Sequence, residues 1–332
     1  MGGTGVLFDL AVLGDLVADI LLPVEELPLR PNAHGWADGL FIELGGGCNF
    51  LVAARRLNLT ATALGAVGGD TYGQAVKEML AAEGVDVSPV VTYPDRQTVL
   101  CVVVTDRAGQ HVFLGIKDEG PQWPCPSTWA EVIRRSRSLL TDGYTFRELL
   151  HPDDILAAMA TARQADIPVF FDPGPSISFL AEPVLTAALA ATDVLLLTFE
   201  EARHLVAEED PRAAAQALHA FGPRVVVTKA GSTGCCVSAD RAVIHHPGFQ
   251  VDVVDTVGAG DAFAAAFVAG YLRGGSWREC AALANAMGAA TVATRGAGRR
   301  IPPAERIREL LGDDPAARLV VSADRPPHGL DR

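Results

Sequence analysis

Gly258-Ala259-Gly260-Asp261 sets three small residues and a carboxylate directly before an apolar, alanine-rich run, Ala262 to Leu272. Phe263, Phe267 and Tyr271 recur every four residues in that run and so share one helical face. The run is apolar nearly all round, which predicts a buried helix. Its first amides, with the positive end of the helix dipole, then face whatever lies beyond Gly258, and such a terminus holds anions. Small residues let a phosphate come close to the backbone. Asp261 stands at the same point and admits two readings. It is a helix N-cap, a position that Asp favours, or it is a general base taking a proton from a hydroxyl while the amides hold a phosphoryl group.

Other residues of this kind are spread along the chain. Asp15 and Asp19 follow the first apolar strand in Gly14-Asp15-Leu16-Val17-Ala18-Asp19. A carboxylate there suits a vicinal diol, because it accepts two hydrogen bonds at once. Gly45-Gly46-Gly47-Cys48-Asn49 precedes a helical pattern through Leu51, Ala54 and Leu57. Thr198-Phe199-Glu200-Glu201 follows an apolar strand and reads first as acidic residues opening a helix. Val225 to Lys229 ends in the glycine turn Gly231 to Gly234, by itself a strand and a hairpin. Asp70 reads as a helix cap.

Asp255-Thr256-Val257-Gly258-Ala259-Gly260-Asp261 resembles the second signature of the ribokinase (PfkB) family of carbohydrate kinases. The resemblance implies that Asp261 is the catalytic base and that Gly258, Ala259 and Gly260 form the anion hole. It assigns Asp19, with Asp15, and the loop of Gly45, Gly46 and Asn49 to the sugar. The glycine pair expected three residues before Asn49 falls on Leu44-Gly45, so that loop departs from the family pattern. Thr228, Gly231, Gly234, Thr256 and Asn285 are placed around ATP. Glu201 would organise magnesium through water, although Thr198 stands where the family has Asn. Asp255 and the loop near Arg295-Gly296 would surround a potassium ion.

The elements that must position these residues follow from the pattern. From Leu139 onward strands and helices alternate: strand 139–142, helix 152–164, strand 169–172, helix 182–190, strand 194–197. That rhythm implies a parallel sheet with right-handed crossovers. Residues 98–105 and 110–116 are β-rich and separated by the turn Asp106-Arg107-Ala108-Gly109. With residues 20–44 they would form a small sheet, similar to the family's lid over the sugar. The expected fold is α/β: a three-layer α/β/α domain over residues 1–312 with a β lid from 20–44 and 96–117, then a poorly ordered tail, 313–332. Exposed lid strands need a cover, and the family's dimers imply a homodimer through the lids.

Composition bounds the partners. The chain is 49% hydrophobic and 20% charged, with a net charge of −13. Such an acidic protein is a poor ligand for nucleic acid or an anionic membrane, and no apolar run is long enough to span a bilayer. The six cysteines show no metal-like pairing and read as buried free thiols of a reducing compartment. Met1 to Asp9 lacks the basic start of a signal peptide, so the expectation is a cytoplasmic protein.

The resemblance leaves the acceptor open between a sugar and a nucleoside. Asp142-Gly143-Tyr144 stands where ribokinase-like members use Glu, which disfavours ribose itself, and Phe171-Asp172-Pro173-Gly174-Pro175 resembles some nucleoside kinases. A phosphosugar would want clustered cations in the lid, and Arg30, Arg96 and Lys117 are scattered. A non-catalytic sugar- or nucleotide-binding regulator is the reading from another class, and the presence of Asp261 argues against it.

Overall fold

The computed structural model describes residues 5–321 apart from 33 and 149. Four-residue runs such as Leu139–Asp142 and Val169–Asp172 are buried from end to end. Strands covered on both faces have this composition. They join an eight-stranded sheet in the order Ala242–His246, Cys235–Ala239, Val225–Lys229, Val194–Thr198, Val169–Asp172, Leu139–Asp142, Leu10–Leu13, Ala61–Leu64. From Val225–Lys229 to Ala61–Leu64 every neighbour is parallel, and the two strands at the far edge run antiparallel.

One face of the sheet is packed by the helices Cys48–Arg56, Ala259–Leu272 and Trp277–Val292, the other by Pro152–Gln164 and Glu182–Ala190. This is the expected three-layer α/β/α arrangement. The order reverses at Leu10–Leu13, which has Leu139–Asp142 on one side and Ala61–Leu64 on the other. Open α/β sheets bind ligands at the carboxyl ends of their strands beside such a reversal. Asp142, Asp172, Thr198 and Lys229 each end a strand there, with Asp142 in register with Asp172 and Thr198 with Lys229.

A second sheet, in the order Phe41–Gly46, Leu16–Pro23, Leu100–Thr105, His111–Ile116, leaves the first directly after its reversal strand Leu10–Leu13. Its first strand starts at Leu16, ahead of the expected lid boundary, so Asp19 belongs to the lid itself. The Asp106–Gly109 turn closes the hairpin as expected, with Asp106 N–H donating to Gln110 O and Gln110 N–H to the Asp106 carboxylate.

Past Gly312 the chain keeps packing. Pro315–Leu319 forms a short 3-10 turn with Ala316 and Leu319 buried, and Arg318 pairs with Glu279 at 2.7 Å. The ordered body therefore extends beyond the expected boundary, and the remainder of the expected tail, 322–332, lies outside the described residues. Cys48, Cys235, Cys236 and Cys280 are buried as expected, whereas Cys101 and Cys125 are half-buried. No helix among the described residues is long and apolar enough to cross a membrane.

Candidate active site

The helix after the glycine turn runs Ala259–Leu272, beginning three residues earlier than the apolar run alone suggests. Gly258 precedes it at φ 72°, a left-handed conformation, and an added Cβ would lie 2.7 Å from that of Ala297. Only glycine suits both conditions. No side chain caps this terminus. Over Gly260 an added Cβ would meet Lys229 Nζ alone, at 3.6 Å, so there is room above the first turn.

Asp261 therefore lies inside the first turn and is not the cap. Its carboxylate accepts a hydrogen bond from Asn49 Nδ2 at 2.8 Å. Burial, with the charge of Asp172 next, pushes its pKa up to about 6, while the Asn49 bond and Lys229 pull the other way. Asn49 in turn accepts from Gly298 N–H at 2.9 Å, so one side-chain amide ties Asp261 to the loop after Trp277–Val292.

A second group of carboxylates is built from the lid. Asp19 is buried, and burial, followed by the charges of Asp15, Glu43 and Asp261, raises it to about 7. A Cβ on Gly45 would sit 2.1 Å from Asp19 Oδ1, which explains why the facing strand carries glycine there. Asp19 and Glu43 are direct partners on antiparallel strands and share a face. Glu43 accepts from Arg299, Nε to Oε1 at 2.9 Å and the backbone N–H to the same oxygen at 3.1 Å. Asp15 is buried, and its N–H donates to Thr145 Oγ1 at 3.2 Å. The same hydroxyl donates to Asp142, whose carboxyl is pushed well above the usual range by burial and then by Asp15.

At the carboxyl ends of the neighbouring strands Lys229 Nζ donates to Asp172 Oδ2 at 2.7 Å. Glu201 forms a reciprocal capping box with Thr198: Thr198 N–H donates to Glu201 Oε2 at 2.8 Å, and Glu201 N–H to Thr198 Oγ1 at 3.1 Å. Thr198 thus does a cap's work in place of the expected Asn, and the simple helix-opening reading holds for this pair. Burial, then Asp172, raises Glu201.

The remaining expected site residues divide. Gly231 adopts φ 57° and an added Cβ would meet nothing, so it borders open space. Gly234 instead packs on the next strand, where a Cβ would fall 2.0 Å from His246 O. Thr228 is fully buried and its hydroxyl donates to Pro211 O, at the sheet–helix interface. Asn285 is buried and its Nδ2 donates to His246 O and Pro247 O, which fixes that turn. Thr256 lies exposed at the rim. Asp255 joins two loops, accepting from Val257 N–H at 3.0 Å and from Gly296 N–H at 2.9 Å. Asp70 caps its helix through Gly73 N–H, as read.

Sequence reasoning left Lys229, Asp172, Asp142, Glu43 and Arg299 out of the site. A charged residue ending an otherwise buried strand, as in Val-Val-Val-Thr-Lys, was the available signal for the first three. Nothing local marks the Glu43–Arg299 pair, whose members are far apart in the chain.

A half-buried carboxylate beside an uncapped helix terminus, with a small β-sheet next to it, at the reversal of a parallel sheet, suits an α/β phosphotransferase. The chain belongs to the pfkB family of carbohydrate kinases, whose model matches residues 8–304. It is 33% identical over 298 residues to an ATP-dependent ribose-1-phosphate kinase of Halopiger xanaduensis, covering 89% of this chain and 95% of the relative. A nucleoside kinase of Methanothermobacter thermautotrophicus is 27% identical over 296 residues, covering 89% and 92%. Among solved structures, Arabidopsis thaliana ribokinase complexed with ribose and ATP superposes with a TM-score of 0.78 at 25% identity, covering 92% of this chain and 99% of that one.

Proposed function

We propose that this carbohydrate kinase transfers the γ-phosphoryl group of ATP to a primary hydroxyl of a sugar or sugar derivative. The observation that carries the reading is Asp261, a half-buried carboxylate held by Asn49 inside the uncapped first turn of Ala259–Leu272. Asp19 would hold acceptor hydroxyls, Asp261 would take the proton of the attacking hydroxyl, and the amides around Gly258–Gly260 would meet charge on the phosphoryl group. Magnesium, which neutralises phosphate charge when bound, would sit near Glu201: its Oε1 accepts no hydrogen bond among the described residues. There, no three His, Cys, Asp or Glu side chains form a metal cage among the described residues, which fits an ion that keeps waters and arrives on phosphates. A potassium ion at Asp255 would share a carboxylate that already takes two amide donors, and its oxygens have further lone pairs for an ion.

A phosphorylated sugar is the second reading of the acceptor. Arg299 supports it: its side chain is 42% exposed and it pairs with Glu43, on the same lid face as Asp19. Arg30 and Arg96 are likewise paired, but with Glu26 and Asp118, neither of which shares the lid face of Asp19 as Glu43 does. The relative named for ribose-1-phosphate agrees with this reading, and the one named for nucleosides keeps that alternative in the same test. ADP release measured over free sugars, sugar phosphates and nucleosides decides among them. Turnover with one class assigns the acceptor, and none with any class sinks the kinase reading in favour of a binding protein.

A further inference from the structure

We propose that Lys229 is a catalytic residue of the phosphoryl transfer, its ammonium donating to oxygens of the transferred group above Gly260. The proposal rests on the kinase reading above and deepens it. An ammonium has three N–H donors. Among the described residues Lys229 uses Asp172 as its acceptor, at 2.7 Å, and its side chain is only 12% exposed. Two donors of a nearly buried cation are thus left for something else. What lies next to them is the first turn of the anion-hole helix, where an ideal Cβ on Gly260 would come within 3.6 Å of Nζ. A larger residue at 260 would fill the space that a phosphoryl group needs.

Charge points the same way. Burial works against the ammonium, but Asp172, Glu201 and Asp261 more than offset it and hold its pKa raised, so Lys229 stays charged. One carboxylate is enough to neutralise a lysine, and here three surround it. An incoming phosphoryl group adds further negative charge at this point, and a cation with spare donors is what lowers that cost. In the step itself the acceptor oxygen bonds to phosphorus as the bond to the ADP oxygen breaks. The hydroxyl proton goes to Asp261, and Lys229 keeps its own protons throughout.

The bland alternative is that Lys229 merely neutralises Asp172. Lys229→Met alone leaves a buried carboxylate unpaired and is a poor test if the fold suffers. The double variant Lys229→Met/Asp172→Asn removes both charges and keeps the shape, and its melting temperature reports folding. Affinities of this variant and the wild type for ADP and for a non-hydrolysable ATP analogue, by calorimetry, give a readout apart from turnover. The expected result is a folded variant with turnover reduced on the order of 10²–10³-fold, the size of a lost transition-state donor, and with its preference for the ATP analogue over ADP lowered. A folded double variant with wild-type turnover and an unchanged preference overturns the proposal while leaving the kinase reading intact. A wild type that binds neither nucleotide and phosphorylates nothing removes the kinase reading first, and the role of Lys229 with it.

Discussion

A base that works at neutral pH must be ionised there, and burial opposes this at Asp261, holding its pKa near 6. The catalytic consequence has a definite sign: turnover should rise as pH increases through about 6, because the carboxylate form accepts the proton. Asp261→Asn keeps size and can still accept from Asn49, but it cannot take the proton. We expect turnover to fall on the order of 10²–10⁴-fold with ATP binding retained, and near-wild-type turnover would remove the assignment. Stability gives an independent check. Between the usual 3.8 and about 6 the folded protein binds more protons at this site than the unfolded chain does. The site therefore lowers stability as pH rises through that window, and the cost is fully present above it. Asp261→Asn should melt higher than the wild type at pH 8, with the gap narrowing toward pH 4. A gap independent of pH would mean that the carboxylate is not held in this strained state.

At the scale of elements, the active site is an agreement among helix termini and loops, and Asn49 is where they meet. It lies in the first turn of the Cys48–Arg56 helix, donates to Asp261 of the Ala259–Leu272 helix and accepts from Gly298. Asn49→Ala should lower kcat by about an order of magnitude through misorientation of the base. Its signature is a shift of the acid limb of the pH profile to higher pH, because the lost bond was one of the influences lowering Asp261. A drop in rate with an unmoved acid limb would assign Asn49 to substrate contact alone. Asp255 joins the anion-hole loop to the Gly296 loop in the same way. If potassium binds there it acts by fixing these loops, and turnover should be higher in potassium than in sodium; equal rates in potassium-free buffer would remove the ion. How far the sequence reveals this differs by element. Buried parallel strands such as Val169–Asp172 announce themselves by unbroken apolar composition, and the glycine turn before Asp261 marks the anion hole. The cap reading of Asp261 fails because the helix gains a turn from Ala259, which composition cannot show once glycine and alanine are helical there. For Thr228 and Asn285 the sequence leaves open what each side chain bonds, which is decided by its neighbours, here Pro211 and the 246–247 turn. Lys229 and Asp172 end separate strands, and only the sheet order brings them to 2.7 Å.

The whole molecule poses a question that the active site does not: what covers the lid. The sheet Phe41–Gly46, Leu16–Pro23, Leu100–Thr105, His111–Ile116 has an edge at His111–Ile116. There Val112, Phe113, Leu114 and Ile116 are 44%, 47%, 55% and 40% exposed. Phe41 on the opposite edge strand is 47% exposed, and Trp36, in the segment leading to it, 89%. Apolar side chains gathered on an open edge strand invite pairing or burial, and soluble proteins seldom leave them bare. A second copy presents the same sheet and the same apolar residues, so a self-complementary contact through the lids would cover both. We therefore expect a homodimer. The lid also carries Asp19 and Glu43, so fixing it against a partner would hold the acceptor side of the site. Phe113→Lys with Leu114→Lys places like charges across such a contact while leaving the buried residues untouched. The paired variant should run as a monomer by light scattering at micromolar concentration, melt close to the wild type, and show a raised KM for the acceptor with little change in KM for ATP. A wild type that is itself monomeric under those conditions rules the lid contact out. A dimeric wild type whose dimer survives both lysines places the contact on another face.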